Sequence, residues 1–326
     1  MTDQRPGLKV PERIIPVPTS ISPEAQAFLA HIPPTPPDST PPPVTDKAAW
    51  RARAAAADQG MLPMIAGYAQ QHPAEVTTHQ LSAPLYEIAP KSLAPANESR
   101  AILYIHGGGF FMGGGEAAML AALPLASLAR VRTFSLDYRM PPDHPFPTPL
   151  DDCVEAYRWL LQRYKPQNIA VYGPSAGGNL APALILKARD LGLPLPAVCA
   201  VHSPAADLTE SGDSFRTNAV IDTILQRPLP ELMQLYSNGH DCKDPLISPI
   251  FADFSAGFPP TIITTGTRDL LLSSGVLLHR ALRRGGVKAE LHVWEAMPHA
   301  PFFGSPEERE LYAETVRFML AHMGAD

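Results

Sequence analysis

The sequence predicts an α/β fold, a mostly parallel sheet of about eight strands with helices on both faces. Three observations lead there. From about residue 75, short β-branched runs alternate with longer helical stretches, the pattern of strands joined by crossover helices. The first two strand runs lie close enough to pair as a hairpin, which makes the sheet mixed. The chain has 326 residues, 45% apolar and with a net charge of −6, so it can bury a sizeable core and is not disordered throughout.

Strands are expected at 76–81, 85–88, 101–106, 131–136, 168–172, 197–202, 261–265 and 289–294. Helices are expected at 116–129, 150–164, 178–191, 273–284 and 306–322. Two segments depart from the alternation. Residues 1–60 are rich in proline, with runs at Pro33-Pro34, Pro36-Pro37 and Pro41-Pro42-Pro43, which favour extended backbone. Ser22-Pro23-Glu24 reads as a helix start leading into 25–30, and a second, Ala-rich helical stretch covers 48–59 and carries Trp50. Residues 203–248 show no strand signal apart from a short helix at 229–236, and a loop of that length inside a domain is usually functional. The expected organisation is an N-terminal cap segment at 1–60 and a core at 61–326 with a cap insertion at about 203–248. The N-terminal segment is expected to fold over the C-terminal edge of the sheet and help close a pocket there.

The charge balance, 26 basic against 32 acidic residues, lacks the basic excess of a nucleic-acid binder. Cys153, Cys199 and Cys242 are odd in number and widely spaced, so they suggest neither a disulfide framework nor a zinc or redox motif. No stretch reaches the ~18 apolar residues of a membrane span, and the first ten residues lack a signal peptide's apolar region. A cytoplasmic location is expected.

The most informative motif is Gly173-Pro174-Ser175-Ala176-Gly177 between a strand and a helix. A turn so tight forces Ser175 into a strained backbone, with its hydroxyl exposed at the sheet's C-terminal edge. The glycines let backbone pack where a Cβ would clash. His106-Gly107-Gly108-Gly109-Phe110 follows another strand. Its N–H groups can meet an oxyanion closely, and the absence of a Gly-Lys-Ser/Thr sequence disfavours phosphate. A serine nucleophile needs a base and an acid to orient that base. His299 follows the last strand and Asp269 the seventh, each in a loop at the same edge. Glu295 is the alternative acid, and a helix N-cap is the alternative role for Asp269. His202 and His292 lie within strands, and His106 is placed to brace the glycine loop. No His/Cys/Asp cluster has ligand spacing, so neither metal nor organic cofactor is expected.

These motifs resemble the hormone-sensitive-lipase-like esterases of the α/β-hydrolase superfamily. The carriers are His106–Phe110, Asp137-Tyr138-Arg139, His144-Pro145-Phe146-Pro147, Gly173–Gly178, Asp269-x-Leu271 and Pro298-His299. The resemblance implies an eight-stranded hydrolase core, a helical cap, and hydrolysis of small to medium acyl esters through Ser175, His299 and Asp269. It also implies oxyanion donors at Gly108, Gly109 and Ala176, and it leaves room for a homodimer through a sheet edge. Phe110 and Phe111 are candidate pocket walls, with core packing as the other role. Pro174 departs from the family, which usually has Asp before the nucleophile. Weaker cues toward a lactone-hydrolase branch keep lactones, and amides, as alternative substrates. A non-catalytic small-molecule receptor on the same fold is a further alternative.

Overall fold

The computed structural model describes residues 8–12, 14–31 and 40–324; the Pro33-Pro34 and Pro36-Pro37 runs lie outside them. All eight strands form one sheet: β1 (Ala74–Gln80), β2 (Pro84–Pro90), β3 (Ala101–Ile105), β4 (Arg132–Leu136), β5 (Ile169–Pro174), β6 (Val198–His202), β7 (Thr261–Gly266) and β8 (Ala289–Trp294). The spatial order is β1-β2-β4-β3-β5-β6-β7-β8. β1 and β2 pair antiparallel, β2 runs antiparallel to β4, and the rest are parallel. The expected fold class is the observed one.

The central strands carry apolar side chains on both faces, so each face needs a cover. On one face α4 (Thr148–Leu161), α5 (Ala176–Asp190) and α8 (Leu272–Arg284) supply it, with Leu150, Leu184 and Leu282 buried against Leu103, Val171 and Ile263. On the other face α3 (Glu116–Ala129) and α9 (Pro306–His322) bury Leu125 and Phe318 against Ile102, Ala170 and Ile262. From β3 the chain moves outward to β4, then returns to β5 on β3's other side. The crevice at such a reversal, beyond the strands' C-terminal ends, is where open α/β sheets bind ligands.

Two pieces cover that edge. α1 (Pro23–Ala30) starts at Ser22, whose hydroxyl caps Ala25 N–H at 3.1 Å. It buries Ala25 and Leu29 against Met297, Phe302 and Leu311. α2 (Lys47–Ala69) starts at Asp46, which accepts from Ala49 N–H. It runs through residue 59, where the sequence suggested an end, and takes Pro63 in its interior. The inserted segment contributes α6 (Ser214–Thr217) and α7 (Pro230–Ser237). Trp50 of α2 packs against Leu232 and Leu235 of α7, which joins the two pieces. No helix among the described residues is long and apolar enough to cross a membrane.

Candidate active site

Strand β5 ends at Pro174, and α5 begins at Ala176, which leaves Ser175 alone in the turn. Its backbone sits at φ 55°, ψ −117°, a strained region for a residue with a Cβ. The glycines on either side explain how the turn closes. A Cβ on Gly173 would stand 2.2 Å from Gly177 O, and one on Gly177 would stand 1.9 Å from Ile105 O. Pro174 needs no N–H at this strand end, so the turn tolerates it.

Ser175 Oγ lies 2.9 Å from His299 Nε2. On the opposite side of the ring, His299 Nδ1 lies 3.3 Å from Asp269 Oδ1 and 2.5 Å from Ser203 Oγ. Ser203 in turn donates to Asp269 Oδ2 at 2.5 Å, so its oxygen is left to accept from Nδ1–H. That network assigns the proton to Nδ1 and leaves the Nε2 lone pair facing Ser175. Asp269 is fully buried. It also accepts from Thr265 Oγ1 at 2.6 Å and from Leu271 N–H at 2.8 Å. Burial pushes its carboxyl up, but the bonds from His299, Ser203 and Thr265 outweigh burial and hold it below the usual carboxylate range. Burial alone would lower the His299 pKa. The Asp269 bond and charge, helped by Asp222, overcome it and raise the ring above its ordinary value. Glu295, the other acid considered, is exposed and stands apart.

Sequence reading missed Ser203 and Asp222. Ser203 follows β6 with φ 45°, and no motif marks it. Asp222 lies in the insertion with no exposed surface. Its Oδ1 accepts from Ile224 and Leu225 N–H, and its Oδ2 accepts from Leu270 N–H at 2.8 Å and His299 N–H at 3.2 Å. One carboxylate therefore ties together the loops that carry Asp269 and His299. Asn218 adds to this, donating to Thr267 O and Asp269 O.

The glycine loop after β3 is built with equal care. Gly108 has φ 101°, and a Cβ there would fall 2.0 Å from Met112 O, so only glycine fits. His106 braces the loop as expected: Nδ1 lies 2.7 Å from Gly107 O, and the ring stacks on Tyr138 at 4.1 Å. Burial lowers its pKa to about 4, so the ring is neutral. Asp137 accepts from Gly115 N–H and Asp58 of α2 from Gly113 N–H. Arg139 pairs with Asp152. Ala176 opens α5, where an N–H has no partner within the helix.

Two cavities meet at Ser175. The smaller, about 70 Å³, is lined by Gly109, Phe110, Ala176, Phe215, Leu232 and Met233 among others. The larger, about 290 Å³, includes His299, His202 and Pro174, the α2 residues Met61, Met64, Ile65 and Tyr68, and Tyr104, Tyr172 and Tyr312. Phe110 thus walls the smaller cavity and stacks on Tyr236 at 3.9 Å. Phe111 lines neither and packs edge-on against Trp50. His202 is buried at the end of β6. It bonds Thr264 within the sheet, yet its ring edges the larger cavity.

A family described as the alpha/beta hydrolase fold matches residues 102–303. The chain belongs to that family. Among relatives of this hydrolase is an acetyl-hydrolase of Streptomyces hygroscopicus, 34% identical over 62% of this chain and 68% of its own length. An esterase of Acinetobacter venetianus is 29% identical, covering 69% of this chain and 76% of its own. Among solved structures, the esterase E25 superposes with a TM-score of 0.92 at 35% identity, covering 98% of this chain and 99% of that one. A hormone-sensitive-lipase homologue from a metagenome library gives a TM-score of 0.72 at 34% identity, covering 87% and 100%. This hydrolase is a carboxylic ester hydrolase of the hormone-sensitive-lipase type. Among the described residues no group of three or more His, Cys, Asp or Glu side chains is placed to hold a metal ion.

Proposed function

We propose that the hydrolase cleaves esters in two steps through a covalent acyl group on Ser175. The observation that carries this is the Ser175 Oγ to His299 Nε2 approach of 2.9 Å, with Asp269 on the far side of the same ring. Ser175 Oγ attacks the ester carbonyl carbon as its proton passes to His299 Nε2. The N–H groups of Gly108, Gly109 and Ala176 receive the oxyanion. The bond to the alcohol oxygen then breaks, and His299 returns the proton to that oxygen. Water, deprotonated by the same nitrogen, attacks the acyl carbon; the bond to Ser175 Oγ then breaks, Oγ takes the proton back from His299, and the acid leaves. Asp269 keeps the imidazole tautomer and stabilises the imidazolium.

The two cavities divide the substrate. His299 must reach the leaving oxygen, so the alcohol belongs in the cavity that contains His299. Gly109 and Ala176 line the smaller one, which therefore takes the acyl chain. α2, whose Met61, Met64, Ile65 and Tyr68 line that larger cavity, accordingly closes the alcohol side. A short acyl group with a bulkier alcohol fits these volumes. A lactone tethers its two halves in one ring, whereas cavities on either side of Ser175 favour an open-chain ester.

Ser175→Ala should lower kcat on p-nitrophenyl acetate by roughly 10⁴–10⁶ with an unchanged melting profile. Diethyl p-nitrophenyl phosphate should label Ser175 in the wild type, read by peptide mass. A tenth or more of the activity surviving, or a label on another residue, would overturn the assignment.

A further inference from the structure

The larger cavity has apolar walls and a polar floor. Tyr104 on β3 and Tyr172 on β5 are paired neighbours in the sheet, and their rings lie 5.4 Å apart. Both are more than nine-tenths buried. Tyr312 approaches from α9 and lies within electrostatic reach of both. All three line the cavity. None of the three hydroxyls has a hydrogen-bond partner among the described residues. Two other buried tyrosines are satisfied, Tyr138 by donating to His106 O and Tyr157 to Pro194 O, whereas the Tyr236 hydroxyl is sealed in the core without a partner. Unlike the sealed Tyr236 hydroxyl, these three open onto the cavity, so a bound ligand can make the bonds that the protein leaves unmade.

We propose that Tyr104, Tyr172 and Tyr312 form a subsite for a hydrogen-bond-accepting oxygen, an ether, carbonyl or hydroxyl, on the alcohol half of the ester. This rests on the assignment of that cavity to the leaving alcohol. The phenols offer protons that no neighbouring acceptor takes. Burial raises all three pKa values, so the rings stay neutral and keep those protons. The one nearby carboxylate, Glu308, faces Tyr68 from outside the cavity lining and caps the start of α9 through Gly304 N–H. Pro174 adds another uncharged side chain to the lining. With no carboxylate lining the cavity, a cation gains no counter-charge, and a neutral oxygen is the better fit. The apolar walls of Met61, Met64, Ile65 and Leu120 would hold the carbon skeleton.

The test uses isosteric acetates: cyclohexylmethyl acetate against the tetrahydropyran-2-, 3- and 4-ylmethyl acetates, which replace one ring CH₂ by oxygen. The readout is the kcat/KM ratio of ether to carbocycle within each protein, which cancels any general loss of competence. In the wild type at least one ether isomer should match or exceed the carbocycle. Tyr104→Phe, Tyr172→Phe and Tyr312→Phe keep the ring, and at least one should lower that ratio about fivefold to tenfold, the worth of one hydrogen bond. A carbocycle preference in the wild type, or a ratio unmoved in all three variants and their triple combination, would overturn the subsite. The two readings fail separately. Hydrolysis surviving Ser175→Ala overturns the serine; a Ser175-dependent activity whose ratio ignores the tyrosines overturns the subsite.

Discussion

Asp222 accepts the backbone N–H of His299 at 3.2 Å with the same oxygen that accepts Leu270 N–H at 2.8 Å. The insertion is thereby wired into the loops that carry Asp269 and His299. Asp222, Asp269 and His202 are the titratable groups in electrostatic contact with the His299 ring, and the two acids raise its pKa. Catalysis needs the ring neutral, so activity should fall on the acid side as it protonates, with a midpoint above the ordinary 6.5. Asp222→Asn removes one of the two raising charges. It should move that limb to lower pH and reduce kcat about tenfold through looser loops, since a 1.4 kcal/mol loss is tenfold. A kcat–pH profile identical to wild type would remove Asp222 from this role.

Ser203 offers a cleaner separation of fold from chemistry. Its positive φ costs any residue with a Cβ, so Ser203→Gly should melt higher than Ser203→Ala. Both lose the hydroxyl between His299 Nδ1 and Asp269. Both should therefore lose kcat by about tenfold or more, the worth of a hydrogen bond to a charged group, with KM little changed. If the more stable glycine variant also recovered kcat, the hydroxyl would matter only for stability.

Met233 is half-buried and lines the smaller cavity. Met233→Ala should lengthen that cavity and raise kcat/KM for hexanoate relative to acetate by about tenfold, the scale on which apolar pockets discriminate methylenes. An unchanged acyl profile, with acyl chains still accepted, would place them in the other cavity.

Deleting residues 1–45 removes α1 and the Pro43 carbonyl that Trp50 Nε1 reaches at 3.2 Å. α2 would keep Asp58 on the glycine loop but lose support at its start. KM for esters with bulky alcohols should rise severalfold, while Ser175 still reacts with a small phosphonylating reagent. A kcat/KM unchanged across alcohols would remove α1 from the closing role and leave it to α2 and the insertion.

What the sequence made legible follows from physics that acts locally. The central strands stand out because buried parallel strands must be short apolar runs, as Ile102-Leu103 and Ile262-Ile263 are. Ser175, Asp269 and His299 were readable because each lies just past a strand, so chain order alone put them at one edge. α2 was read too short. Gly60, Pro63 and Gly67 are poor helix formers, and the contacts of Met61, Ile65 and Tyr68 over the cavity override them. Ser203 and Asp222 were not readable at all. Their roles come from a stretch without periodicity, and they appear only when β6, the insertion and the β8–α9 loop are brought together.

Ser22 donates through its backbone N–H and its hydroxyl to the two oxygens of Glu307, each at 2.7 Å, across 285 positions of chain. A ribosome makes Ser22 long before it makes Glu307. Throughout that interval α1 has no dock, because Met297, Phe302 and Leu311 do not yet exist. Leu29 and Phe28 must wait in water while the sheet assembles from β1 onward. The prolines on both sides of α1 keep that waiting segment from pairing as a stray strand. His299 too is made long after Ser22, and the cover over it can close only after that. A nascent chain therefore cannot seat α1 over its esterase site until Glu307 and Leu311 have been made.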